Sequence, residues 1–199
     1  MSPSTISVRR FVAVSAMTCA VTLALAAALP AVAAPGLATR TGRTVVIPGC
    51  TTSGLVIWLD TKGSGTAGAT YYHLEFTNLS GRTCTLDGFP GVSGVDLAGH
   101  QLGGAATWET AFRPTSVMLS SGTSLAPISS KDTATVILRI TDVWNYPPAT
   151  CGQVAATGLR VYPPDQAAAK VVPFPFTGCL RPGPPYLQVQ AVQQGILPG

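Results

Sequence analysis

The sequence predicts an all-β protein, an antiparallel β-sandwich of about eight short strands. Three observations lead to this prediction. Stretches of alternating apolar and polar residues recur at intervals of about 8–20 residues, with turn signals between them. The 199 residues include 21 glycines and 17 prolines, which suit turns and sheet edges. Helical periodicity is almost absent, which argues against helical repeats, a coiled coil and a parallel α/β sheet.

The chain begins with the features of a secretory signal peptide. Arg9 and Arg10 precede an apolar run over residues 11–29, and Ala31-Val32-Ala33 matches a small-residue cleavage signal. We therefore predict a Sec-type signal peptide over residues 1–33 that is cleaved after Ala33. The run is also long enough to span a bilayer, so an uncleaved anchor is the alternative. No second segment of spanning length follows, and the mature protein is expected to be secreted and extracellular, with no membrane span.

The remaining chain divides into three parts. Residues 34–48 are predicted to be a flexible leader, with a possible edge strand at residues 44–47. Residues 49–195 are predicted to form a single β-sandwich domain, and residues 196–199 a tail.

The strands are expected in the following order. Residues 54–60 predict a buried strand, and residues 61–68 a flexible glycine-rich connection, which lacks the Gly-Lys-Ser/Thr ending of a phosphate loop. In the clearest strand, residues 69–78, period-two alternation places one set of side chains in the core and the other in water. The core set is Tyr72, Leu74 and Phe76, and the water-facing set is Tyr71, His73, Glu75 and Thr77. Further strands are predicted at residues 83–86, 92–97, 115–119, 133–141, 159–162 and 186–192. Residues 167–176 are predicted to be extended, with interruptions at Pro173 and Pro175, and residues 152–157 to form one helical turn.

The cysteine count predicts two disulfides. Apart from Cys19 in the signal, the cysteines are Cys50, Cys84, Cys151 and Cys179. Three pairings are possible, and the sequential one is favoured because each bond then closes a modest loop worth roughly 3.5–4 kcal/mol on the chain-entropy model. The wide cysteine spacing lacks the paired ligands of a zinc site. We expect no metal and no cofactor.

The charge balance makes nucleic-acid binding unexpected. Removal of Arg9 and Arg10 lowers the formal net charge from +4 to +2, because the signal contains no acidic residue. No two basic residues are adjacent in the mature chain, whereas a phosphate-binding surface needs clustered Lys and Arg.

Several segments resemble one family. Glu75-Phe-Thr-Asn-Leu-Ser80, Cys84-Thr-Leu-Asp-Gly-Phe-Pro-Gly91 and Gly158-Leu-Arg-Val-Tyr-Pro-Pro164 follow one another in the order found in an actinobacterial family of secreted domains, domain of unknown function 4232. The resemblance covers residues 50–192. It implies export, two disulfides and an immunoglobulin-like sandwich, and it assigns no activity to any residue.

No arrangement of residues predicts an enzyme. His73 and His100 are the only histidines of the mature chain, and Ser124, in the nearest approach to a nucleophile elbow, is not followed by a helix. The acidic residues are dispersed, and no two glutamates are paired as a glycosidase requires. We expect no catalytic residues. A secreted hydrolase with an unrecognised site is the alternative.

One loop suggests binding. Trp144 and Tyr146 lie close to Cys151 in Trp144-Asn-Tyr-Pro-Pro148, and flat aromatic side chains at the rim of a sandwich stack on sugars or anchor proteins. The predicted partner is an extracellular protein or a cell-wall glycan. The competing interpretation is that Trp144 caps the core and Tyr146 packs on the prolines. A proteinase inhibitor that presents a stiff loop beside a disulfide is a third possibility.

Overall fold

The computed structural model describes residues 45–111, 113–122 and 128–196. Its strands are β1 (Leu55–Thr66), β2 (Ala69–Asn78), β3 (Cys84–Leu86), β4 (Gly91–Val95), β5 (Gln101–Leu102), β6 (Thr107–Trp108), β7 (Val117–Leu119), β8 (Thr133–Thr141), β9 (Gln153–Tyr162), β10 (Lys170–Cys179), β11 (Leu187–Val189) and β12 (Gln193–Gln194). Two 3-10 turns, Thr52–Gly54 and Val143–Asn145, and one helical turn, α1 (Pro148–Cys151), accompany them. The predicted signal peptide, the leader as far as residue 44 and the tail residues 197–199 lie outside the described residues.

The strands form two main sheets. One has the order β1-β2-β8-β11-β6, with β12 also paired to β8, and the other has the order β10-β9-β4-β5. The strands β3 and β7 form a separate pair. The pairing is antiparallel except between β6 and β11. The predicted antiparallel sandwich is confirmed. The strands β5, β6 and β12 have two residues each, too short for their alternation to be recognised in the sequence.

One hydrophobic cluster joins the two sheets. It takes alternate residues of each strand, because successive side chains point to opposite faces. The six-stranded sheet contributes Leu74, Phe76, Val136, Leu138 and Leu187, and the four-stranded sheet contributes Val92, Leu159, Val161 and Val172. No helix within the described residues is long and apolar enough to cross a membrane.

Tyr186 is the largest side chain in the buried interior. Its hydroxyl donates to the carbonyl of Leu102 at 2.9 Å, and burial raises the pKa of this phenol to about 12. Gly94 makes room for the ring, since a Cβ there would lie 2.6 Å from the Tyr186 oxygen. The absent side chain in β4 therefore admits the tyrosine into the core.

The glycine-rich stretch at residues 61–68 is not the flexible connection that we predicted. The strand β1 continues through it to Thr66, with a register shift between Asp60 and Ser64, and pairs with β2 as a long hairpin. Gly63 is required there because a Cβ would lie 2.6 Å from the methyl group of Thr70. Residues 61–66 have only a weak intrinsic preference for a strand. Their backbone nevertheless forms one, because it pairs with β2, whose alternation is clear.

The helical turn lies earlier than predicted. We expected it at residues 152–157, but β9 begins at Gln153 and α1 occupies Pro148–Cys151. Pro148 suits the first helical position, and Gly152, at φ 61°, ends the turn in the left-handed region that glycine tolerates best.

Both disulfides have the sequential pairing that we favoured, Cys50 with Cys84 and Cys151 with Cys179. The first attaches the entry segment to β3, where the Cys50 amide also donates to Thr85. The predicted edge strand at residues 44–47 is absent from its described part, residues 45–47.

Part of the outer face of β2 is buried, although we predicted that it would face water. Glu75 and Thr77 are each only 1% exposed. The strand β2 lies between β1 and β8, and Trp58 of β1 is paired with Glu75 and donates its indole N–H to the Thr77 hydroxyl. The alternation in the sequence distinguished the two faces of β2 correctly. It could not show that Trp58 of the neighbouring strand lies beside Glu75 and Thr77 on the outer face.

Glu75 is held by a short chain of hydrogen bonds. The hydroxyl oxygen of Thr135 lies 2.6 Å from a Glu75 carboxylate oxygen and 2.5 Å from the carbonyl oxygen of Gly195. A threonine hydroxyl has one hydrogen, so it cannot donate to both. When Glu75 is ionised, Thr135 donates to the carboxylate, and this bond opposes a raised pKa. When Glu75 is protonated, its O–H can donate to Thr135, and the Thr135 hydrogen is then available to the Gly195 carbonyl. Burial, opposed by the Thr135 hydrogen bond and assisted by the charge of Asp60, raises the pKa of Glu75 to about 7.

We expect Glu75→Gln to change how stability depends on pH. The pKa of Glu75 is raised from 4.5 to about 7, so its favourable contribution is complete below about pH 4.5 and is lost as pH rises through 7. The loss is on the order of 3 kcal/mol. The glutamine amide can donate to Thr135 without titrating, and the variant should be more stable than the wild type at about pH 8. Urea unfolding at about pH 5 and pH 8 measures this.

The control is Glu109→Gln, which removes the only other glutamate of the chain. This variant should retain the pH dependence of the wild type. Equal slopes of stability against pH for the wild type and Glu75→Gln would show that Glu75 is ionised throughout this range.

Candidate functional site

Trp144 lies on a rim between the two sheets. Residues 142–151, which we call the Trp144 rim, connect β8 to β9 and contain the 3-10 turn Val143–Asn145 followed by α1. The turn directs Val143 into the core, where it is 1% exposed, and leaves Trp144 71% exposed. The interpretation that Trp144 caps the core is therefore wrong.

Tyr146 has a different environment from Trp144. It is partly buried, its ring packs against the hydrophobic core, and its hydroxyl donates to the carbonyl of Pro185 at 3.2 Å. Of the two predicted binding residues, the structure leaves Trp144 available to a partner and uses Tyr146 mainly to anchor the loop.

Side-chain hydrogen bonds hold the turn in place. A carboxylate oxygen of Asp142 accepts from the backbone N–H of Trp144 at 3.0 Å, as a helix cap does. The side-chain amide of Gln153 donates to the carbonyls of Val143 at 3.1 Å and Tyr146 at 3.0 Å. These bonds fix the backbone on both sides of Trp144, so the exposed indole is carried by an ordered support.

The second disulfide secures the far end of the rim. Cys151 ends α1, and its bond to Cys179 ties the rim to the end of β10. Arg181 follows this disulfide and donates to the carbonyls of Pro148 at 2.9 Å and Ala149 at 3.0 Å. The Pro148 carbonyl also accepts from the backbone N–H of Gly152 at 2.9 Å, so Arg181 adds a second donor there and supplies one to the Ala149 carbonyl in the last turn of the helix.

A cleft of about 350 Å³ adjoins Trp144. It lies beside the end of the β1–β2 hairpin, and its polar lining consists mainly of threonine hydroxyls. The residues that line it include Thr66, Thr70, Thr141, Asp142, Trp144 and Phe176. Among the lining residues in the described part of the chain, Asp142 is the only charged one, so the cleft suits a largely uncharged partner.

Thr141 is the residue of this cleft that sequence reasoning missed. Its hydroxyl oxygen is buried and has no hydrogen-bond partner among the described residues. An unsatisfied buried hydroxyl is costly, and this oxygen would meet a ligand only if the residues that cover it moved. No signal in the sequence could have identified it, because threonine at the end of a strand is common and its partners are set by the fold.

The residues considered for catalysis do not converge on the Trp144 cleft. His100 is exposed in a turn, with its Nδ1 atom 3.1 Å from Asp96, and the backbone N–H of His100 is the main cause of a lowered pKa at Asp96. His73 of β2 lies opposite Asp60 of β1 in the strand register, and neither residue lines the cleft. Ser124 lies outside the described residues.

The acidic residues offer no metal cage in the part of the chain that the structure describes. No group of three His, Cys, Asp or Glu side chains converges there. Glu75 has the raised pKa that often accompanies a general acid, but at 1% exposure it is closed to a substrate.

Comparison with known families identifies the domain. The profile of a domain of unknown function, DUF4232, matches residues 50–193. The chain belongs to the DUF4232 family. The DUF4232 match begins at the first cysteine of the Cys50–Cys84 disulfide and ends within β12, so it includes the Trp144 rim. No curated protein and no solved structure gives a significant match.

We expect Asp142→Ala to loosen the Trp144 rim. The change removes the acceptor of the Trp144 backbone N–H, a cap worth about 1 kcal/mol. In the wild type the amide order parameter of Trp144 should be near that of rigid backbone, about 0.85, and it should fall in the variant. Relaxation of ¹⁵N-labelled protein measures this.

Asp87→Ala is the matched control, because it removes the same charge from an exposed position outside the rim. Its Trp144 order parameter should equal that of the wild type. A wild-type value below about 0.6 would contradict an ordered rim.

Proposed function

We propose that this chain is an exported, non-catalytic binding domain that engages an extracellular or cell-envelope partner through the Trp144 rim. The observation that carries the proposal is an indole 71% exposed to solvent on a turn fixed by Asp142, Gln153 and a disulfide. A large aromatic group whose backbone is already ordered loses little conformational entropy on binding. Such residues supply much of the affinity at protein interfaces and stack on sugar rings.

Export is supported by two independent features. Two disulfides fit an oxidising compartment, because cytosolic thiols are normally kept reduced. The N-terminal sequence has the charged, apolar and small-residue regions of a signal peptide. We infer secretion with cleavage after Ala33, and the family resemblance favours an actinobacterial source.

The residues that line the cleft limit which chemical groups the partner can present to it. Its exposed threonine hydroxyls, those of Thr66 and Thr177, offer hydrogen bonds, and Trp144 and Phe176 offer apolar surface. An extracellular protein loop and a neutral stretch of cell-wall glycan both provide polar groups beside an apolar face. A proteinase inhibitor remains an alternative, because the rim is stiff and adjoins a disulfide.

Binding without catalysis best explains why the histidine and acidic side chains do not converge on the cleft. Neither histidine lines the Trp144 cleft, and its one acid, Asp142, is committed to capping the turn that carries Trp144. A hydrolase would need a nucleophile and a base within hydrogen-bond reach of each other. We infer that the rim holds its partner and does not transform it.

The mass of the exported protein tests the export proposal. We expect a chain that begins at Ala34 and is lighter than its reduced form by two hydrogens for each of the two disulfides. Intact-mass spectrometry of culture fluid and envelope fractions, before and after reduction, measures this. A chain that retains residues 1–33, or one with free thiols, would contradict the proposal.

The binding proposal is tested by affinity capture with the oxidised mature protein. The baits are the wild type, Trp144→Ala and Trp108→Ala, and they are exposed separately to culture fluid, envelope proteins and insoluble cell-wall glycan. Trp108 is the matched control, because it is 58% exposed and lies in β6, outside the rim. We expect saturable capture from one fraction that falls at least about tenfold with Trp144→Ala and is retained with Trp108→Ala.

The outcome separates the competing functions. Capture that is insensitive to Trp144→Ala would reject the rim as the binding surface. Stoichiometric inhibition of a secreted protease would favour the inhibitor, and turnover of a captured ligand would favour the hydrolase.

A further inference from the structure

A second hollow lies on the outer face of the six-stranded sheet, and the Trp144 cleft shares none of its lining residues. It has a volume of about 330 Å³, and its polar lining comprises Tyr71, Glu109, Arg139, Gln188 and Gln190. We call it the Arg139 hollow. Its volume is near the lower end of the range for small-molecule sites and accommodates about one sugar residue.

The strand register brings three of these side chains into one row. Arg139 of β8 is paired directly with Tyr71 of β2 on one side and with Gln188 of β11 on the other. Neighbouring strands lie about 4.8 Å apart, so side chains at paired positions stand side by side. Leu138 points into the core, and alternation therefore directs Arg139 to the outer face. The row rests on three strands and not on loops.

Arg139 has no partner in this row. Its guanidinium makes no hydrogen bond or ion pair with another described residue, although the side chain is half-buried. The Tyr71 hydroxyl and the Gln188 amide likewise make no side-chain hydrogen bond within the described residues. A partly desolvated guanidinium with five unfilled donors is well prepared for a carboxylate, which it can hold with two parallel bonds.

Glu109 supplies the opposite charge at the wall of the hollow. One of its oxygens accepts from the backbone N–H of Ala111 at 3.3 Å, and it forms no ion pair with Arg139. Gln190 is already bonded through its side-chain oxygen to Gln193 at 3.2 Å. Among the described residues that line the hollow, Arg139 is the single cation and Glu109 the single anion. This pattern disfavours a multiply charged phosphate and favours a ligand that has one carboxylate and several hydroxyl donors.

We propose that the Arg139 hollow binds a sugar that carries a carboxylate, a hexuronate. The carboxylate would pair with Arg139, the ring would lie against Tyr71, and hydroxyl groups would donate to Glu109 and exchange hydrogen bonds with Gln188. Tyrosine offers the flat apolar face that sugar rings prefer. The proposal rests on the β2–β8–β11 register and is independent of the Trp144 rim.

The test is a titration of the mature protein with D-glucuronate, D-glucose and acetate at neutral pH, followed by backbone amide shifts. We expect glucuronate to bind with a millimolar Kd, on the order of −4 kcal/mol, and to shift amides of β2, β8 and β11. Glucose lacks the carboxylate and acetate lacks the ring, so each should bind at least about tenfold more weakly than glucuronate. Glucose or acetate binding as tightly as glucuronate would overturn the proposal.

Three variants locate the site. Arg139→Gln should weaken glucuronate binding at least about tenfold, and Arg139→Lys should restore only part of it, because a lysine cannot form the paired bonds. Arg82→Gln removes the same charge from an exposed turn and should bind like the wild type. Since the Arg139 side chain bonds to no other described residue and is partly exposed, its variants should keep the wild-type amide spectrum outside the hollow. No glucuronate binding at about 50 mM by the wild type, or full binding by a folded Arg139→Gln, would refute the assignment.

Discussion

The pairing of β2 with β8 is the constraint on which the rest of the molecule depends. It runs through nine matched positions, from Ala69 opposite Thr141 to Thr77 opposite Thr133. Because side chains alternate along a strand, a slip of one residue would exchange the two faces and expose Leu74 and Leu138. The core, the buried Glu75 and the row through Arg139 are all consequences of this one register, since each is defined by residues on one face or the other.

The connection at the end of the sheets that carries Trp144 has a different role from the paired strands. The Trp144 rim is a connection, and loops placed on a rigid scaffold commonly carry recognition. Here the connection is held by the Asp142 cap, the side-chain amide of Gln153, Arg181 and the second disulfide. The backbone that carries the exposed indole therefore does not depend on a partner for its position. Of the described lining residues, the cleft beside Trp144 has one charged side chain, Asp142, whereas the Arg139 hollow has one charge of each sign. The two surfaces therefore suit ligands of different chemistry.

Glu75 illustrates why an unusual pKa does not by itself indicate catalysis. Burial raises its pKa to about 7, within the range in which general acids operate. The same burial prevents contact with a substrate, and the hydrogen-bond chain through Thr135 to Gly195 gives the carboxyl group a structural role instead. It links the middle of the six-stranded sheet to the C-terminal segment. Structural and catalytic carboxyl groups can thus share a pKa and differ only in access.

The sequence by itself determined the strand class, the alternation of β2 and β8 and the two disulfides, because period two, turn residues and cysteine spacing are local or countable properties. It also indicated the Trp144 loop. Only the tertiary structure decided that residues 61–66 join a hairpin, that Glu75 is covered, and that Trp144 is exposed while Tyr146 packs inward. The same holds for Tyr71, Arg139 and Gln188, which are far apart in the chain and meet only through register. Each of these features depends on which strand becomes the neighbour of another, and strand neighbours are selected by packing across the whole core, which no local stretch of sequence encodes.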